Sequence, residues 1–393
     1  MKREHWPEMM LEGKWTGPIV DQHMHLDRSG RFLSAVEEFS RAGGTGIMLV
    51  HKPGFSGSLP TNLVGYREAY AETLSMAEDV RNSVGLDVGV VLGPHPVAWE
   101  HQIEPLGLQA STELHLEAVD LALNHIEEGD AICLGEVGRP HYPVSNETWS
   151  SANDLLLEVM SMASSANCSI QLHVEDNGEA SCRELADLCD KAGLPRERAI
   201  RHYAPADISP SFTHGLSATV SVGRGSIEGL VNSISPKSSP WGMETDFLDD
   251  SRRPGAVLGP KTVPKRTQEL CSALLNVGWE EDEVTLQHKS GANPCISDAA
   301  GNSVKSFIGK KVYNFIGLDN VEDYVGKIFA SGTRIANPLE EYNVQKEYQK
   351  PNFSDVIGTV LYDKNIHKID FIEREKGFVA KKEIQGSQVT FVK

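Results

Sequence analysis

No apolar run in this 393-residue sequence approaches the ~20 residues that a membrane span needs, and the stretch from Gly46 to Val50 is far shorter. The opening MKREHWPEMM places acids and a proline where an export signal carries its apolar segment, so a cytoplasmic protein is expected. The six cysteines (Cys133, Cys168, Cys182, Cys189, Cys271 and Cys295) show no CxxC pairing, which favours reduced, buried thiols over a disulfide framework or a zinc ribbon. No glycine-rich phosphate loop follows the first apolar run, and there is no internal repeat or long low-complexity segment. Surplus positive charge is missing as well. The formal net charge is −18, and because residues 291 to 393 hold 14 basic against 13 acidic side chains, the first 290 carry −19. A body this acidic repels polyanions over a Debye length, so any nucleic-acid substrate needs a local basic cleft or bound cations.

What the sequence does have is an ordinary globular balance, with 40% hydrophobic and 23% charged residues, enough for a large core. Eight short apolar or alternating runs recur: IVDQHMHLD, GIMLVHKP, DVGVVLGPHP, AICLGEVG, SIQLHVED, AIRHYAP, SATVSVG and WGMETDF. Between them lie segments such as FLSAVEEFSRAG, STELHLEAVDLALNHIEEG and ANDLLLEVMSMASSA, whose apolar residues repeat at three and four positions, the period of a helix. Alternation of strand and helix implies a parallel sheet, and eight units suit a closed TIM-type (β/α)8 barrel better than an open doubly wound sheet. The expected class is therefore α/β: a barrel over 1–290, a small, polar, turn-rich linker over 291–311, and a small α+β appendage over 312–393.

The chemically capable residues fall at the C-terminal ends of the strand candidates, the face on which barrel active sites assemble. His23 and His25 are two apart on the first strand and so face the same way. Glu136 ends the fourth strand, where it could bridge cations or pair with Arg139. His173 and His202 end the fifth and sixth, and Asp246 ends the eighth. Imidazoles and carboxylates converging from five strands suggest a divalent metal centre, with zinc, manganese and similar ions left open. His51 and His95 end the second and third strands, where either substrate contact or packing would suit them. Arg139, His141, Arg252, Arg253 and Lys261 could line the mouth for an anionic substrate or form loop ion pairs with Asp249, Asp250 and Glu244. His5, His101, His115, His125, His214, His288 and His367 read as surface residues.

DQHMHLD, RAGGTGIMLVHKP, VLGPHPV, GEVGRPHYPV, QLHVED, RHYAP and METDFLDDSRRPGAVLGPKTVPKR together resemble the amidohydrolase superfamily, specifically its TatD-related hydrolases and their archaeal-type branch, over about residues 15 to 280. The resemblance implies two divalent cations, one held by His23, His25 and Asp246, the other by His173 and His202, with Glu136 bridging. It implies a metal-activated water attacking a phosphodiester, DNA ends among the candidates, with Asp246 taking the water's proton. A small-molecule amidohydrolase or lactonase is the alternative, and an interaction scaffold with a partner-binding tail is a third reading. The expected substrate is a small molecule or a nucleic-acid end, with no membrane partner; the sequence does not fix an oligomeric state.

Residues 312 to 365 resemble the end of the actin-like cell-division protein FtsA, but the phosphate-binding hairpins of that family are absent, so the tail is not expected to bind nucleotide. The terminal KIDFIEREKGFVAKKEIQGSQVTFVK alternates as a β-ribbon does.

Overall fold

The computed structural model describes residues 10 to 280, apart from 53, 55 to 58, 236 and 251 to 256, together with the backbone of three strands between residues 368 and 392. The chain divides into two compact units, Met9–Ile296 and a second formed by Met1–Glu8 with Ser297–Lys393.

In the larger unit every apolar run becomes a strand. These are β1 (Val20–His25), β2 (Gly46–Val50), β3 (Asp87–Leu92), β4 (Cys133–Gly138), β5 (Ile170–His173), β6 (Ala199–Ala204), β7 (Ser217–Ser221) and β8 (Trp241–Glu244). Each pairs in parallel with its predecessor. The ring is closed by the chain itself. After Thr245 and Asp246, β9 (Phe247–Leu248) leaves β7 and pairs in parallel with β1, Phe247 against Met24 and Leu248 against His25. The strand order 8-7-6-5-4-3-2-1-9 thus returns to its start, as a TIM-type barrel requires. The seam is fastened by Asp21, whose carboxylate accepts from the Thr245 amide at 3.0 Å and the Thr245 hydroxyl at 2.6 Å.

The connecting helices are α1 (Leu33–Arg41), α2 (Leu63–Ser83), α3 (Pro96–Leu106), α4 (Leu108–Glu128), α5 (Asn146–Ser165), α6 (Glu179–Ala192), α7 (Pro210–Thr213), α8 (Ser226–Ser233) and α9 (Thr262–Asn276). Their ends follow local chemistry: Ser145 caps α5 by accepting from the Thr148 amide, Asn62 caps α2 through Gly65, and Gly129 ends α4 in a left-handed turn at φ 85°. One apolar core fills the space between strands and α1 to α6, and a second joins β6 to β8 with α8 and α9. Trp15, on a hairpin of Met10–Leu11 and Lys14–Trp15, belongs to the second core and exchanges backbone hydrogen bonds with the Gln268 side chain. Cys133, Cys168, Cys182, Cys189 and Cys271 are buried free thiols. His115 departs from the sequence reading: it is 1% exposed. It shares a face of α4 with Ser111, Ala118, Val119 and Ala122, which turns it into the interior.

In the smaller unit β10 (Lys368–Arg374), β11 (Gly377–Ile384) and β12 (Ser387–Val392) form an antiparallel three-stranded sheet in sequential order, the ribbon that the alternation predicts. The linker over 291–311 and the segment over 312–365 lie outside the described residues. Among the described residues no helix is long and apolar enough to cross a membrane.

Candidate metal centre

The strand ends bring His23, His25, Glu136, His173, His202 and Asp246 to one place. Glu136, buried at the end of β4, is the hub, and its two oxygens face different partners. Oε1 lies 2.6 Å from His23 Nε2, 3.5 Å from His25 Nε2 and 3.3 Å from His202 Nε2. Oε2 lies 2.8 Å from His95 Nε2 and 3.5 Å from His173 Nδ1. Asp246 Oδ1 approaches the first set, 3.9 Å from His23 Nε2 and 3.7 Å from His25 Nε2. Ligand atoms of His23, Glu136, His202 and Asp246 all lie within 4.8 Å of one another, as do those of His95, Glu136 and His173.

Local backbone explains this convergence. Gly138 sits at φ 149° where a Cβ would lie 2.0 Å from His173 O, so only glycine lets β4 and β5 approach with Glu136 and His173 in register. Asp246 occupies left-handed space at φ 50°, where the chain turns from β8 into β9.

Hydrogen bonds on the far side of each ring fix which nitrogen faces the centre. His25 Nδ1 donates to Val50 O at 3.1 Å, leaving a lone pair on Nε2. His202 Nδ1 lies 3.1 Å from Glu244 Oε1, which also accepts from the Tyr203 amide. His173 Nε2 meets His141 Nδ1 at 2.7 Å, and its buried Nδ1 has no hydrogen-bond partner. His95 is wired in the opposite sense. As the N-cap of α3, its Nδ1 accepts from the Val97 amide at 3.1 Å, so Nε2 carries the hydrogen and donates it to Glu136. Burial and the neighbouring His173 push His95 down to about 3, which keeps it neutral in this tautomer.

The electrostatics favour added positive charge. Burial opposes ionisation of Glu136, but the imidazoles of His95, His202 and His23 outweigh it and hold the carboxyl well below its usual range. Burial also opposes protonation of His202, yet Glu244 and Glu136 raise it to about 10. Burial, reinforced by His202, lowers His23 to about 4, while burial lifts Asp246 to about 7. Imidazoles gathered round a charged carboxylate, one of them His173 with an orphaned Nδ1 beside it, are the donor set of a divalent first-row ion, and the residues fit one.

Several expectations change. The resemblance pairs His202 with His173. In the structure the two rings stack at 5.5 Å; His202 also lies on the Oε1 side with its ring stacked on His23 at 4.0 Å, because Glu244 on β8 holds its Nδ1, and His95 stands beside His173 as well. Glu244, read as a loop ion-pair partner, is wholly buried behind His202; its two-residue spacing from Asp246 was the available signal. Arg139 is not free for an anion. It is 1% exposed, chelated by Glu175, bonded to Glu184 at 2.9 Å and Asn153 at 2.7 Å, and stacked over Trp149. Lys261, at the exposed start of α9, pairs with Glu38 at 3.1 Å. Asp249 accepts three backbone amides, from Asp27, Arg31 and Phe32. His141 contacts His173 directly, and Arg252 and Arg253 lie outside the described residues.

Residues 20–291 match the model of a family described as TatD related DNase. An uncharacterized protein of Methanocaldococcus jannaschii is 29% identical over 257 residues, covering 64% of this chain and 87% of that protein. Among solved structures, the TatD homolog YJJV of Escherichia coli is 18% identical with a TM-score of 0.49, covering 70% of this chain and 97% of its own. A phosphotriesterase homology protein from Escherichia coli, complexed with phosphate in its active site, is 10% identical with a TM-score of 0.45, covering 68% and 96%.

Proposed function

Because the chain belongs to the TatD-related DNase family of hydrolases, we propose that it uses two divalent cations, zinc, manganese or similar, to hydrolyse a phosphodiester, DNA ends among the candidate substrates. The observation that carries this reading is the division of Glu136, one oxygen toward His23, His25 and His202 and the other toward His173. His23, His25, His202 and Asp246 would hold one cation and His173 with Glu136 the second, while His95 steadies Glu136 by its hydrogen bond. When bound, such cations would supply Lewis acidity toward the phosphoryl group and would bring the pKa of an attacking water toward neutrality. Asp246, partly open to solvent and lifted toward neutral pH, accepts the proton as the water oxygen bonds to phosphorus and the ester oxygen departs. Such cations would also supply the positive charge that an acidic body lacks, since Arg139 and Lys52 are engaged elsewhere.

For the C-terminal unit we propose an accessory, partner-binding role, in keeping with the resemblance of residues 312 to 365 to the end of FtsA. The proposed chemistry does not call on it, because all six candidate ligands precede residue 291.

The test is metal analysis with turnover of bis(4-nitrophenyl) phosphate, a lactone and an amide, each with and without chelator. Glu136→Gln keeps the side chain's size but removes the bridging charge. It is expected to lose the second cation and to reduce turnover by about 10³-fold or more with unchanged folding. Wild-type turnover in that variant removes the bridge, and chelator-resistant hydrolysis removes the whole reading.

A further inference from the structure

A cavity of about 680 Å³, in the size range of small-molecule sites, lies between the end of β2, the start of α2 and the N-terminus of α3. His95 stands in its wall and also touches Glu136, so the cavity adjoins the candidate metal centre. His51 is a second wall residue and is 7% exposed. Its Nδ1 lies 3.1 Å from Thr73 Oγ1, a hydroxyl whose hydrogen already goes to Ala69 O at 3.1 Å. The hydroxyl therefore accepts from His51, and Nδ1 carries the hydrogen. Burial, chiefly, pushes His51 down to about 4, so the ring is neutral and Nε2 keeps its lone pair. Among the described residues that nitrogen has no hydrogen-bond partner.

Other polar groups of the cavity are committed. Lys52 Nζ is held by Asp27 Oδ2 at 2.6 Å and by Asp249 O at 3.0 Å, and the Tyr66 hydroxyl accepts from Gln102 Nε2 at 3.2 Å. Leu59, Pro60 and Ala98 add apolar wall. Thr61, Asn62 and Glu68 stand exposed at the rim, so the inner surface left for a ligand is apolar with one strong buried acceptor and no free cation among the described residues, which suits neither a phosphate nor a carboxylate.

We propose that this cavity receives a neutral, single-ring group of the substrate, which presents one N–H or O–H donor to His51 Nε2 while the scissile bond lies at Glu136. The position of the bond rests on the hydrolase reading; recognition of the ring does not. The substrate class is then a small ester of a donor-bearing cyclic group, or a strand terminus with one unpaired base. Base-paired duplex is excluded, because a stacked base cannot enter the cavity without leaving the helix.

Binding of phenol and fluorobenzene to the full chain, followed by ligand-observed NMR, tests this pair of rings of equal size with and without a donor. Phenol is expected to bind about tenfold more tightly. The difference should vanish in His51→Phe and shrink in Thr73→Val, which frees the Nδ1 hydrogen at nearly constant volume and decides alone should His51→Phe fail to fold. Equal binding in the wild type, or a preference that survives both substitutions, overturns the proposal. Bis(4-nitrophenyl) phosphate turnover on the same samples separates the two readings. Hydrolysis without ring discrimination removes the pocket alone, and discrimination without hydrolysis removes the hydrolase reading alone.

Discussion

Glu244 shows how a residue can govern the centre without standing at it. It is wholly buried, bonds His202 Nδ1 and the Tyr203 amide, and is held ionised: burial opposes its charge, but His202 outweighs burial and keeps its carboxyl below the usual range. An anion behind a ligating imidazole fixes the ring's direction and raises its basicity. Glu244→Gln is therefore expected to weaken cation binding about 10- to 100-fold, measured by competition with a chelator of known affinity. Unchanged affinity would sink this role. Glu136, His23, His25, His173, His202 and Asp246 could be picked out from sequence because each ends an apolar run at the catalytic face. The side of the bridge that each ring takes was not legible, because it is set by partners such as Glu244 and Val50 that come from other strands. Arg139 misleads for a similar reason. Its acceptors Glu175 and Glu184 lie 36 and 45 residues away, and only folding brings them round its guanidinium.

At the scale of elements, α4 carries a cost against acid. His115 lies on its buried face with Nδ1 unpartnered, and burial lowers its pKa from 6.5 to about 3. As pH falls, the unfolded chain takes up a proton near 6.5 while the native helix refuses it until about 3. The stability is thus complete above the unfolded pKa and declines through that window, by about 1.4 kcal/mol per pH unit. Between pH 7 and pH 5 the wild type is expected to lose about 2 kcal/mol more than His115→Leu, read from urea midpoints at the two pH values. Parallel losses in both proteins would remove His115 as the cause. The helix itself was readable from its repeat; that one polar residue shared the buried phase was visible too, since Ser111, Ala118, Val119 and Ala122 mark that face.

For the whole molecule, the division of the chain at Ile296 places every candidate ligand, all eight barrel strands and both described cores in the larger unit. Removing residues 297–393 is expected to leave a folded barrel whose metal content is unchanged and whose melting temperature moves by no more than about 4 °C, equivalent to roughly 1 kcal/mol or less. Loss of both folding and metal would make the tail a structural part of the hydrolase unit.

The passage from β8 to β9 gives the barrel a clasp. Asp246 sits at the bend, Thr245 beside it is pinned to Asp21, and two residues later the chain lies against β1, which carries His23 and His25. A cation held by Asp246 and the β1 imidazoles at once would draw together the two ends of the hoop, so that loading the site would also lock the ring. Amide exchange along β1 and β9 should accordingly slow on metal addition far more than along β3, which takes no part in the seam. Uniform slowing, or none, would show that the clasp and the cations act separately.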